Sequence, residues 1–277
     1  ALSSAASDVY KRQNVFSADN ILLENNTLNN ATKSGIMISD EYGSTVNGII
    51  RGNTINNVGD DAIAVYGNHS NLLIDSNRIS GAKGFAGIAI SCLQNGQQIR
   101  VDNETTGPHD IIVTGNVVSG CSGEALYCIG SYKTYITYNT LRDSILEGVC
   151  LDSGCIGNYF AHNEVVNNGI AGGLPGVSID NGIYNIVDSN NVYNNSCSGI
   201  KLVRTGLGNI IVNNICTDNA YNQMGAKSSG IDIEPLAVET ENLGYIDGLG
   251  SNWNVVLNNT VTGSHDFGVF IADDDTA

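Results

Sequence analysis

Between residues 139 and 165 the chain reads Asn139-Thr140-Leu141, then Gly148-Val149-Cys150-Leu151, then Asn163-Glu164-Val165. The first pattern, Asn with an aliphatic residue two places on, returns after 24 residues. A short alternating segment sits between the two copies. Moving outward, the same triplet begins at Asn26, Asn53, Asn77 and Asn116 on one side and at Asn190, Asn213 and Asn259 on the other. Successive steps are 27, 24, 39, 23, 24, 27, 23 and 46 residues, a period of 23 to 27 with two long exceptions. A fixed period of that size marks a solenoid.

The second element recurs with the first, in nine segments that begin at residues 35, 62, 87, 125, 148, 176, 199, 230 and 268. Each is short and alternating and is bounded by Gly, Asn, Asp or Ser, which makes it a strand. No helical period runs anywhere in the chain. Two or three strands per turn of about 23 residues predict an all-β, right-handed parallel β-helix of about nine to ten coils. Asn tolerates left-handed backbone, and its amide bonds to the chain above it, so a column of Asn is expected to hold one corner.

These repeats resemble the parallel β-helix proteins of the pectate-lyase-like superfamily over residues 18 to 271. The resemblance implies a carbohydrate-active protein and leaves the activity open, because hydrolases, lyases, epimerases, tailspikes and adhesins share the fold. Gly59-Asp60-Asp61-Ala62 resembles the Asp-Asp motif of polygalacturonases. It departs from that pattern where the neighbouring coils carry Ser34 and Ala86, so Asp60 and Asp61 are expected to form a turn.

A formal charge of -16 argues against nucleic acid and against an anionic membrane surface. No apolar run approaches the roughly 20 residues of a membrane span. Residues 1–17 lack the repeat, and Ser7-Asp8-Val9-Tyr10-Lys11-Arg12-Gln13 resembles a translated sequencing-adapter tail. The expected organisation is a non-repeat segment, 1–17, and one β-helix domain, 18–277, open at both ends as a fragment. The expected setting is secreted or cell-surface and bacterial, with no signal peptide in this chain. Of seven Cys, Cys128 is expected to pack inward, and Cys150 and Cys155 share the coil next to it, where a disulfide is conceivable.

Long insertions at Cys92–His109, at Thr217–Ser229 and at Pro235–Asn252 are expected to wall a groove whose floor runs from Gly123 to Thr205. Strand parity puts Tyr127, Cys150, Ser178, Lys201 and Asp232 in one outward column, and Ile129, Asp152, Asp180, Val203 and Glu234 in the next. Glu124 and Glu147 share the place just before the strand. Stacked coils lie about 4.7 to 4.9 Å apart, so Glu124 with Glu147, and Asp152 with Asp180, form carboxylate pairs at roughly 5 Å. Such pairs supply a proton donor beside an ionised partner, as glycoside hydrolysis requires. Glu124, Glu147, Asp152 and Asp180 are therefore the expected catalytic acids. Tyr127, Lys201, Arg204, Asp232 and Glu234 are expected to line sugar subsites, with Tyr132 and Tyr135 nearby.

The partner expected is a polysaccharide or oligosaccharide, and no cofactor is required. The same floor resembles that of calcium-dependent pectate lyases, which implies a lyase or uronan epimerase with Asp152 and Asp180 on calcium and Lys201 or Arg204 as base. A third reading has no chemistry: a glycan-binding adhesin or tailspike rod in which the acids only shape turns.

Overall fold

The computed structural model describes residues 13–16, 19–39, 46–94, 97–98, 107–204, 206–221, 229–234, 252–263 and 266–272. These residues form three parallel sheets of ten, nine and nine strands, wound as the right-handed parallel β-helix that the repeat implies. Among the described residues there is no helix. One coil runs Val149–Asp152 in the first sheet, Tyr159–Ala161 in the second and Glu164–Val166 in the third. Val177–Asp180 then returns to the first. The first sheet also takes in Gln13–Phe16, which pairs in register with Ile36–Ser39. The ladder thus reaches into the segment that carries no repeat, because backbone pairing does not require the repeat's side chains.

Alternate residues of every sheet point into one core. In the first sheet Ile36, Ile63, Ile88, Leu126, Val149, Val177, Ile200 and Ile231 stack inward on successive coils. Burying each such side chain contributes about 1.5–3 kcal/mol. Cys128 takes an inward aliphatic place and is fully buried. All seven cysteines are buried free thiols, so the Cys150–Cys155 disulfide does not form. The Cys155 thiol instead donates to the Cys128 carbonyl at 3.3 Å, and burial pushes its pKa up to about 12.

The corners explain the abundance of Asn. Three columns of left-handed residues run along the rod, and each is mostly Asn, Gly or Asp, such as Asn30, Asn57, Gly81, Gly120, Asp143 and Asn167. Those residues adopt positive φ at the least cost. Beside one such column runs the expected ladder, in which each Asn amide donates to the Oδ1 of the next coil's Asn, from Asn26 through Asn53, Asn77 and Asn116 onward. The same amide groups bond to a backbone carbonyl of the coil before, as Asn77 does to Ile50.

Two expectations about this ladder need correction. Asn190 bonds to Asn214, 24 residues on, and Asn214 to Asn259, 45 residues on. The eighth rung is therefore Asn214 rather than Asn213, and the inward residue after it is the buried Cys216, paired with Val192. A thiol packs like a small aliphatic, so a triplet ending in Val, Ile or Leu misses it by one residue. The chain also carries three ladders where one was expected. A second runs through Asn158, Asn185, Asn209 and Asn254, between the first and second sheets. A third runs through Asn168, Asn195 and Asn219, between the third and first.

The insertion after Cys92 includes an antiparallel pair, Leu93–Gln94 with Gln97–Gln98. Residues 95–96 and 99–106 of it, and most of the two later insertions, lie outside the described residues, as do the groove walls expected there.

Candidate active site

The outward side of the first sheet carries the sequence-predicted acids in the order that parity implies. Tyr127 pairs with Cys150, Cys150 with Ser178, Ser178 with Lys201 and Lys201 with Asp232. Ile129 pairs with Asp152, Asp180 with Val203 and Val203 with Glu234. Asp152 and Asp180 sit at the same place on adjacent strands, Val149–Asp152 and Val177–Asp180. The Ala125 amide donates to the Glu147 carbonyl at 3.1 Å, which sets Glu124 and Glu147 level on adjacent coils.

Outward does not mean open. Cys150, Ser178 and Asp232 are buried, Glu124 is only 6% exposed, and Glu147, Asp152, Asp180, Lys201 and Glu234 are half-buried. Side chains one coil apart close over one another, and the carboxyl groups lose water as a result.

That loss sets the electrostatics. Burial raises Glu124 to about 7, and the charges of Glu147, Asp152 and Asp61 add to the rise. Its Oε2 has no hydrogen-bond partner among the described residues. Burial likewise raises Glu147 to about 7, with Asp180 and Asp152 adding repulsion. Asp152 accepts the Tyr127 hydroxyl at 2.7 Å, the Ser153 amide at 2.6 Å and the Ser153 hydroxyl at 3.0 Å. Burial lifts Asp180 to about 6 despite an ion pair with Arg204, and the Asp180 Oδ1 is unpartnered among the described residues.

Farther along, the Lys201 ammonium lies 2.8 Å from Glu234 and 3.5 Å from Asp232. Burial alone would lower the Lys201 pKa, but these two carboxylates more than offset it, so it is raised. Asp232 is raised to about 6 by burial, against the pull of Lys201. Arg204 has φ of 60°, at the place after the strand where Gly130 and Asn181 stand in other coils. Holding an Arg in left-handed backbone costs about 1–3 kcal/mol, a strain that clusters at functional sites.

Two residues join the site without having been expected there. Asp61 lies in the column of Glu124 and Glu147, since Ala86 pairs with Glu124 and Ile63 with Ile88. It is fully buried and accepts the Ala86 amide at 2.6 Å and the Tyr66 hydroxyl. Burial raises its pKa. Its place directly before the strand, shared with Glu124 and Glu147, is the signal by which sequence could have found it. Phe85 is 65% exposed, and its ring centroid lies 5.7 Å from that of Tyr127. A Cβ on Gly123 would overlap the Phe85 carbonyl oxygen, so only Gly lets this segment come so close.

Two expected neighbours stay away. Tyr135 stands on the second sheet, beside Tyr159, and Tyr132 is buried with its ring stacked on His109. Among the described residues no three of His, Cys, Asp and Glu gather to hold a metal ion.

The family model described as "Right handed beta helix region" matches residues 10–106 and 98–277. No curated protein matches the sequence. Among solved structures, a double mutant of the periplasmic alginate epimerase AlgG is similar, with TM-score 0.60 and 14% identity over 92% of this chain and 67% of that one. The A-module of the mannuronan C-5 epimerase AlgE4 of Azotobacter vinelandii is similar with TM-score 0.52 and 12% identity over 96% and 78%. The enzymatically active domain of bacteriophage CBA120 tailspike protein 2 is similar with TM-score 0.52 and 11% identity over 96% and 42%. The chain thus spans about two thirds of the first of these and under half of the last. Identities this low carry the fold and no more.

Proposed function

The chain belongs to the right-handed β-helix family, and from that premise we propose that its acidic first-sheet face cleaves polysaccharide as a glycoside hydrolase. One observation supports this reading: a buried Glu124, raised to about 7 and with its Oε2 unpartnered among the described residues, stands near a fully hydrogen-bonded Asp152. In this reading Glu124 takes the acid role and a neighbouring carboxyl group the base or nucleophile role. Glu124 gives its proton to the leaving glycosidic oxygen. An ionised carboxylate assists the incoming water or attacks the sugar carbon. Glu147, level with Glu124 and about 5 Å away by strand spacing, has the geometry of retention. Asp152 lies farther along its strand than Glu147, and its use as the base would give inversion.

The lyase or uronan epimerase reading needs Lys201 or Arg204 as a base. Lys201 is held protonated by Glu234 and Asp232. Arg204 is ion-paired with Asp180, and a guanidinium keeps its proton. A bare binding rod gives the buried Glu124 carboxyl group, raised to about 7, no role. The test is product analysis on neutral and uronic polysaccharides, with and without a calcium chelator. Saturated reducing ends that disappear in Glu124→Gln support the hydrolase, and their anomeric configuration selects Glu147 or Asp152. Unsaturated products would overturn hydrolysis in favour of elimination.

A further inference from the structure

We propose that Phe85 is a sugar-stacking residue of this face, and that the ring it takes, beside Glu124, is an uncharged pyranose. The proposal rests on the hydrolase reading for its reaction, and on separate observations for its binding.

An exposed apolar residue by itself needs no explanation. Phe85 differs in how firmly it is held. Its amide bonds to the Asp61 carboxyl group, and its carbonyl accepts the Glu124 amide at 3.0 Å. Its backbone is thus fixed from both neighbouring coils by residues of the acidic column. Its ring has no such cover and is 65% exposed.

The coil that follows keeps that ring accessible. Ala86 pairs with Glu124, and Leu126 with Val149, so Phe85, Gly123 and Leu146 occupy one place on three successive coils. Gly123 brings no side chain over the Phe85 ring, and a Cβ there would lie 1.6 Å from the Phe85 carbonyl oxygen. The ring instead meets Tyr127, on the strand that begins at Glu124, with centroids 5.7 Å apart and planes tilted at 45°. The Tyr127 hydroxyl is tied to Asp152 at 2.7 Å. Two rings held at an angle beside Glu124 and Asp152 make the corner of a subsite.

The ligand class follows from the rings and the charges around them. An aromatic face carries partial negative charge, which suits the C–H groups that a pyranose presents on its face. A uronate would bring like charge to Asp61, Glu124 and Asp152.

The experiment compares the wild-type full chain with Phe85→Ala and Phe85→Trp. Binding to a glucan, a galactan, a mannan and a polyuronate is read by affinity electrophoresis, and cleavage by initial rates. Phe85→Ala is expected to weaken binding of the best neutral polymer about tenfold, and to lower kcat/KM by a similar factor through KM. Phe85→Trp keeps a ring and is expected to restore both. Unchanged binding and KM in Phe85→Ala, or a loss that Phe85→Trp does not restore, overturns the proposal. So does tightest binding of the polyuronate, or no binding of any neutral polymer. Cleavage of a neutral polymer that does not depend on Phe85 overturns it while leaving the hydrolase intact. Ring-dependent binding of a neutral polymer without cleavage sustains it and removes the hydrolase.

Discussion

The coils before residue 120 and those after it solve the same packing problem with different chemistry. At the corner between the third and first sheets, the early coils place Ala31, Val58, Ala82 and Cys121, all buried. Ser119 pairs with Arg142, which sets Cys121 opposite Ser144. From Ser144 the column continues as Asn168, Asn195 and Asn219. The corner between the first and second sheets changes at the same coils. Leu72 and Ile111 are buried there early, then Thr134 bonds to Asn158 and the Asn ladder runs on.

The outward face of the first sheet changes with them, from buried Ala64, Ala89 and Ser91 to Tyr127, Asp152, Asp180 and Lys201. Apolar corners suffice where the outer face is neutral. Where the face carries carboxyl groups that burial and mutual repulsion push toward neutrality, each coil is tied to the next at all three corners. Such bracing holds charged groups in place against their own repulsion, which is what a preorganised site needs.

The sharpest test of that contrast uses one column. Glu124→Gln is expected to lower kcat by about a thousandfold, the scale of lost acid catalysis, with little change in melting temperature. Asp61→Asn, two coils earlier, should change kcat only a few-fold and lower stability by about 1–3 kcal/mol, because its buried oxygens serve the Ala86 amide and Tyr66. Equal kinetic losses would mean that the catalytic region begins earlier than drawn here.

The corners come next. Asn195→Ala removes bonds to Asn219 and to the Val165 carbonyl and should cost about 2–3 kcal/mol in urea unfolding. Val58→Asn places an amide in an apolar corner and should cost about 1–3 kcal/mol. A neutral Asn195→Ala would remove the bracing argument.

A smaller effect is expected of Tyr127→Phe. Loss of its bond to Asp152 should reduce kcat about tenfold, near the 1.4 kcal/mol of one charge-assisted hydrogen bond. A larger loss would give the phenol a direct part in the chemistry.

The most gradual effect is on pH. Glu124 and Glu147 rise from an ordinary 4.5 to about 7, so the folded state binds more protons than the unfolded one between those values. Their stabilising contribution is complete below about pH 4.5 and is lost as pH rises through 7. Melting temperature should fall across that window, and the double variant Glu124→Gln with Glu147→Gln should flatten the slope. An unchanged slope would assign the dependence to other groups, with Asp180 and Asp232, raised to about 6, next to examine.

Much of the architecture was legible in the chain because a period-2 strand and a coil-length repeat leave little freedom. Once Val149 and Leu151 point inward, Cys150 and Asp152 point outward, and stacking places every equivalent residue in one column. The pairing of Tyr127 with Cys150 and of Lys201 with Asp232 followed from that alone. Asn213 in place of Asn214 shows where such reading slips: two consecutive Asn fit the pattern, and only the partner across the coil distinguishes them. Asp61 was hidden by its local motif, since its charge adds to the rise of Glu124, which is far along the chain.

Sequence by itself determined the solenoid, its inward and outward columns and the gathering of acids on the later coils, because these depend on periodicity. Tertiary structure decided which outward residues lose water, which Asn bond to which, and which carboxyl groups are left without partners. Those properties depend on neighbours one coil away. A one-dimensional pattern orders such neighbours, but only three-dimensional packing sets their distance, burial and charge.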